Sequence, residues 1–168
     1  MYKAGEQVLY DSEGICTINE IAEKTFAGMT SVFYVLTPIN RPATTIYVPV
    51  NNPKRTAKMK KVLSKQEIYD LIDSMPDEET IWIEDDAKRK QVYGEIIHSG
   101  DRVKLIQLLK TLQLHKTRQE KSGKKLHISD EHFMKTAEKI LHEELSHVLN
   151  IDIDDVAPFL VHQLNINE

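Results

Sequence analysis

The opening fifty residues constrain the fold most. Four β-rich runs, at 2–10, 14–21, 32–36 and 45–49, are separated by Gly5, Gly14, Gly28, Pro38 and Pro42 and closed by the Val48-Pro49 step. Those intervals are too short for helices and suit a small, strongly bent sheet. The expectation is a compact β-barrel over residues 1–63, with surface left over for a partner. Cys16, the single cysteine, lies between Ile15 and Thr17 in such a run. It reads as a small buried hydrophobe, and a lone cysteine leaves no intramolecular disulfide.

Beyond residue 63 the periodicity becomes helical. Ser64 and Glu67 have capping-box spacing, and Ile68, Leu71 and Ile72 fall on one face of a helix running to about Met75. The stretch 76–80 reads as a hinge-like break. Helical spacing resumes over 85–98, after which Gly100 supplies a stop and Asp101 the next N-cap. Leu105, Leu108, Leu109 and Leu112 then mark a core stripe in a helix ending near Lys116. A polar loop is expected over 117–127. A helix capped by Ser129 or Asp130 and ended by Asn150 follows, and a last helix starts at Asp152 or Asp154, which with Asp154 as cap puts Pro158 in its first turn. Residues 64–168 therefore form a bundle of about five helices, and the fold class is α+β.

The 168 residues are 40% apolar, enough for one ordinary domain or two small ones. No run is long and apolar enough for a membrane span, and no basic-then-apolar leader opens the chain, so a cytoplasmic protein without membrane attachment is expected. The net charge of -4 hides strong patterning. Lys54, Arg55, Lys58, Lys60 and Lys61 make a basic cluster; residues 64–86 carry nine acids against Lys65; Lys88, Arg89 and Lys90 reverse the sign. Lys116, Arg118, Lys124 and Lys125 continue a second basic stretch. Two readings stay open: solvated helix faces, or a strip facing nucleic-acid phosphates.

Catalytic patterns are lacking. His142 and His147 flank Glu143 and Glu144 but stand five apart, which on a helix turns the second ring about 140° from the first and prevents a shared metal. No phosphate loop, dinucleotide fingerprint or nucleophile elbow occurs. The acids Glu84, Asp85 and Asp86 precede a helix, where they complement its dipole. The expectation is a non-enzymatic protein without metal, cofactor or small-molecule substrate.

Several segments together resemble the CarD/CdnL family of bacterial transcription regulators. They are Lys3-Ala-Gly-Glu-Gln-Val-Leu-Tyr10, Gly14, the strand from Ile18 to Lys24, Tyr34-Val-Leu36, Val48-Pro49, and Ser99-Gly100-Asp101 with its helix. The first part is similar to a module shared with the transcription-repair coupling factor. The resemblance implies a Tudor/SH3-like barrel at 1–63 that docks on the RNA polymerase β subunit, and a helical domain at 64–168 that contacts promoter DNA and stabilises the open complex. It implies polymerase contacts at Lys24, Phe26 and Tyr47, with Tyr47 standing where the family carries an arginine. It implies DNA contacts at Lys88, Arg89 and Lys90, with Lys116, Arg118, Lys124 and Lys125 as a second strip. The family's wedging tryptophan corresponds to Asp86, so the wedge candidate becomes Trp82, for which interdomain packing is the competing role. A protein-interaction adaptor whose helical domain does not touch DNA is the alternative, favoured by Asp86 and the acidic stretch 64–86.

Overall fold

The computed structural model describes residues 1–77 and 79–166. The chain divides into two compact units, Met1–Val62 and Leu63–Glu168.

The first unit is an antiparallel sheet of β1 (Gln7–Tyr10), β2 (Ile15–Phe26), β3 (Met29–Pro38), β4 (Ile46–Pro49) and β5 (Met59–Lys61), in the order β4-β3-β2-β1-β5. It is not a closed barrel, contrary to expectation: β4 and β5 are opposite edges and do not pair. They span four and three residues, and Pro49 ends β4 without an N–H to donate to a further strand. A short helix, α1 (Pro53–Thr56), separates them. Asn52 caps it by accepting the Arg55 N–H at 3.2 Å, and Pro53 sits in its first turn, where a missing donor costs little. The basic cluster at 54–61 is thus divided among a helix, the turn that holds Lys58 and an edge strand.

One face of the sheet carries the core: Val8, Tyr10, Cys16, Ile18, Tyr34, Leu36, Val48 and Met59. Cys16 is buried there, as a small hydrophobe should be. The register slips between Ile18 and Glu20, leaving Asn19 as a bulge. Strict alternation from Cys16 and Ile18 would send Glu20, Ala22, Lys24 and Phe26 into the core. The extra residue inverts the pleat, so these four side chains leave on the opposite face.

The second unit contains α2 (Lys65–Ser74), a single 3₁₀ turn at Met75–Asp77, α3 (Asp86–Ser99), α4 (Arg102–Lys121), α5 (Ile128–Leu149) and α6 (Ile153–Ile166). The Ser64 hydroxyl accepts the Glu67 N–H at 3.2 Å while Glu67 accepts the Ser64 N–H at 2.7 Å, the expected capping box. Gly100, at φ 69°, ends α3, and Asp101 caps α4 by accepting the Lys104 N–H at 3.1 Å. Asn150, at φ 55°, ends α5. Glu78, within the expected hinge, lies outside the described residues.

Two expectations fail locally. Helix α4 runs to Lys121, so Lys116 and Arg118 are helical and the connecting loop is short. Helix α5 starts after His127 with no side-chain cap, because Asp130 turns inward. Of the two starts expected for α6, the one at Asp152 forms: its carboxylate accepts the Asp154 N–H at 2.9 Å, and Pro158 lies beyond the first turn. Of the Leu stripe, Leu105, Leu108 and Leu112 are buried and Leu109 partly so. The core gathers Ile68, Ile72, Leu145 and Val156, with Leu63, Met75 and Phe159 against them. No helix among the described residues is long and apolar enough to cross a membrane.

Candidate functional site

The expected polymerase contacts converge. On the face opposite the sheet core, Glu20 pairs with Val35 and Val35 with Tyr47, while Ala22 pairs with Phe33 and Phe26 with Met29. Directly paired residues share a face, so Phe26, Phe33 and Tyr47 stand together. Their rings meet edge-on, Phe26–Phe33 at 5.3 Å, Phe26–Tyr47 at 5.2 Å and Phe33–Tyr47 at 6.1 Å between centroids. Phe26 is 46% exposed and Met29 75%. Lys24 lies on the same face and pairs with Glu20 at 3.1 Å. Exposed on both sides, that pair contributes little to stability and leaves the ammonium open to another acid. Sequence reasoning missed Arg55, whose guanidinium donates to the Tyr10 hydroxyl at 3.0 Å and the Tyr47 carbonyl at 3.3 Å, placing a cation beside β4. Asn52-Pro53 was the available signal that a helix would carry it there.

In the helical unit the basic run 88–90 separates. Lys88 and Lys90 are exposed, but Arg89 points inward and is 1% exposed. It therefore cannot reach a phosphate. Its Nε and Nη2 donate to the two carboxylate oxygens of fully buried Asp130 at 3.0 and 3.1 Å, and its Nη1 donates to the Ile83 carbonyl at 3.0 Å and pairs with Asp86 at 2.8 Å. Burial alone would lower the pKa of this guanidinium; the hydrogen bonds and charges of Asp130 and Asp86 outweigh it and hold the pKa above its ordinary value. This fork joins α3, α5 and the segment before α3.

Trp82 belongs to the same assembly. The Arg89 guanidinium lies 4.6 Å from its ring centroid, His115 of α4 stacks on the ring at 3.7 Å and 18°, and its Nε1–H donates to Glu84 at 2.9 Å. Its ring is held within the helical unit and is not presented as a wedge. Asp86 is exposed, but Arg89 offsets its charge. Nearby, the buried Tyr93 donates to the Ile81 carbonyl at 2.9 Å, and burial pushes its phenol up to about 12.

Lys90 also lines a broad, shallow depression of about 800 Å³ with Leu126, His127, Ile128, Ser129 and His132. Lys124 and Lys125, both exposed, immediately precede this rim in the chain. Of the predicted basic residues, Lys90 of the first strip lines this depression, and Lys124 and Lys125 of the second stand just before its lining residue Leu126 in the chain. Lys116 and Arg118 lie apart from the rim's residues in sequence, on the C-terminal half of α4.

Comparison with protein families now fits these units. The profile of the CarD-like/TRCF RID domain matches residues 2–63, and that of the CarD C-terminal domain matches residues 68–160. The chain belongs to the CarD family and is an RNA polymerase-interacting transcription regulator. That family is not known for enzymatic activity. Comparison with curated proteins found no match.

Proposed function

We propose that the sheet unit docks on the β subunit of RNA polymerase while the helical unit holds promoter DNA, stabilising the open complex in a bacterial cytoplasm. The observation that supports this best is the match of both halves to CarD-family domains, joined to the clustering of Lys24, Phe26 and Tyr47 on one exposed face. An aromatic centre with a charged margin is the composition of a protein-binding surface. Lys24 addresses an acidic patch on the polymerase.

DNA contacts fall to Lys90, Lys124 and Lys125 around the α3–α5 depression, with Lys88 at its flank and Lys116 and Arg118 as an outlying strip. Arg89 acts from inside, by fixing the helix that carries Lys88 and Lys90. Contacts of this kind are directed at phosphates and tolerate sequence variation, and their strength falls steeply with salt.

The test is binding of the full chain to a forked duplex across a salt series. Lys90→Glu should weaken binding more than Lys88→Glu. The double variant should lower the slope of log K against log salt by about 1 to 2, since each phosphate that is no longer neutralised removes roughly 0.9. Wild-type protein that binds no DNA at low salt would instead support an adaptor whose helical unit serves another protein.

A further inference from the structure

We propose that the outer edge of β2 pairs antiparallel with the same edge of a second copy of this chain, about a two-fold axis at Ala22. The distal half of the strand is open. β1 pairs with residues 15–17, and the last backbone bonds on that side join Ile18 to Gly5 at 2.7 Å and to Glu6 at 2.9 Å. Beyond them β2 runs on to Phe26 with β3 on its inner side. Among the described residues, no backbone group bonds to residues 20–26 along the outer edge, and none of those seven residues is buried. Such an edge offers unmet N–H and C=O groups to another strand.

The order of charges selects a second copy as that strand. Glu20, Ala22 and Lys24 share one face of β2, and Ile21 and Glu23 share the other. Antiparallel pairing centred on Ala22 sets Glu20 opposite Lys24 of the second copy, and Lys24 opposite its Glu20. Ile21 then faces Glu23, and no like charges meet. Other centres within 20–24 fail. Glu20, Glu23 or Lys24 on the axis would oppose its own copy, and Ile21 there would set Lys24 against Ile18, whose backbone Gly5 and Glu6 already occupy. Charged residues commonly guard an edge against pairing; this order guards only against the wrong registers.

Within one chain Glu20 and Lys24 already meet at 3.1 Å as an exposed pair. Exchange between copies replaces like with like, so the charges fix register while backbone bonds supply the attraction. An interface over residues 20–24 is small, and the association is correspondingly weak. It engages Lys24 and so withholds that cation from the docking proposed above. The evidence for it does not depend on that docking.

The experiment is sedimentation equilibrium of the full chain over a concentration series, without polymerase. Wild type should form dimers. Glu20→Lys alone and Lys24→Glu alone each set like charges opposite one another, and each should weaken self-association about tenfold or more. Mixed in equal amounts, the two variants should associate with near wild-type strength, because every reversed charge again faces its opposite. The chain carrying both substitutions should dimerise as well. Both side chains stand at the surface, so the variants should fold, which circular dichroism checks. Wild type that stays monomeric at the highest concentration reached would overturn the proposal. So would reversals that leave dimerisation unchanged, or a mixture that associates no better than its components.

Discussion

The two units place their charges differently. In the sheet unit every member of the core cluster is uncharged, and the ion pairs Lys24–Glu20, Lys58–Asp11 and Arg41–Glu13 lie at the surface or its margin. In the helical unit two ion pairs among the described residues lie inside: Arg89 with Asp130, and Arg102 with Glu144 at 2.9 Å. Glu144 also accepts the Leu63 N–H at 3.1 Å, so this second pair ties α4, α5 and the start of the unit together. The exposed ion pair of Lys24 in the first unit leaves that cation accessible to a partner, whereas Arg89 and Arg102 of the second unit are part of the scaffold.

The contrast breaks most sharply under single truncations. Asp130→Ala strands a buried guanidinium and should destabilise the protein by about 3–5 kcal/mol, measured by urea unfolding. Replacing the pair together, Arg89→Met with Asp130→Leu, should recover much of that deficit, because two apolar groups leave no unpaired charge. Glu20→Ala, which removes the exposed partner of Lys24, should change stability by less than about 1 kcal/mol. Similar destabilisation in Asp130→Ala and Glu20→Ala would show that the two kinds of pair do not differ.

A smaller effect should come from pH. Burial lowers the pKa of both His115 and His142 below the ordinary 6.5, so the folded protein resists protons that the unfolded chain accepts. Their contribution is present in full above pH 6.5 and is lost as pH falls through that value toward the folded pKa values. Thermal melting at pH 7.5 and 5.5 should show lower stability in acid, with a reduced difference in His142→Gln. Greater stability in acid would mean that these rings gain charge partners on folding.

What could be foreseen from sequence was local. Capping at Ser64 and Glu67, the Gly100-Asp101 junction and the stop at Asn150 each depend on a few adjacent residues, and they form as expected. The buried fork joins residues 41 apart, and nothing in Lys88-Arg-Lys90 marks the middle residue as internal. Asp130 looked like a cap because aspartate near a helix start usually is one. The end of α4 looked like a loop because residues 117–121 lack apolar spacing, although Arg, Gln, Glu and Lys favour helix and Thr117 bonds back to the Gln113 carbonyl at 3.0 Å. Sheet closure is not legible in the sequence, because strand count does not fix which edges meet. At Lys24 and Phe26, the bulge at Asn19 decides the face, and alternation alone would have buried both.

The division of labour between the units is tested most directly by affinity of the full chain for the RNA polymerase β subunit, comparing wild type with Lys24→Glu combined with Phe26→Ser. The account predicts at least tenfold weaker polymerase binding, about 1.4 kcal/mol or more, with forked-DNA affinity unchanged. Wild-type polymerase affinity in that variant would contradict the assignment of the Phe26–Phe33–Tyr47 face as the docking surface.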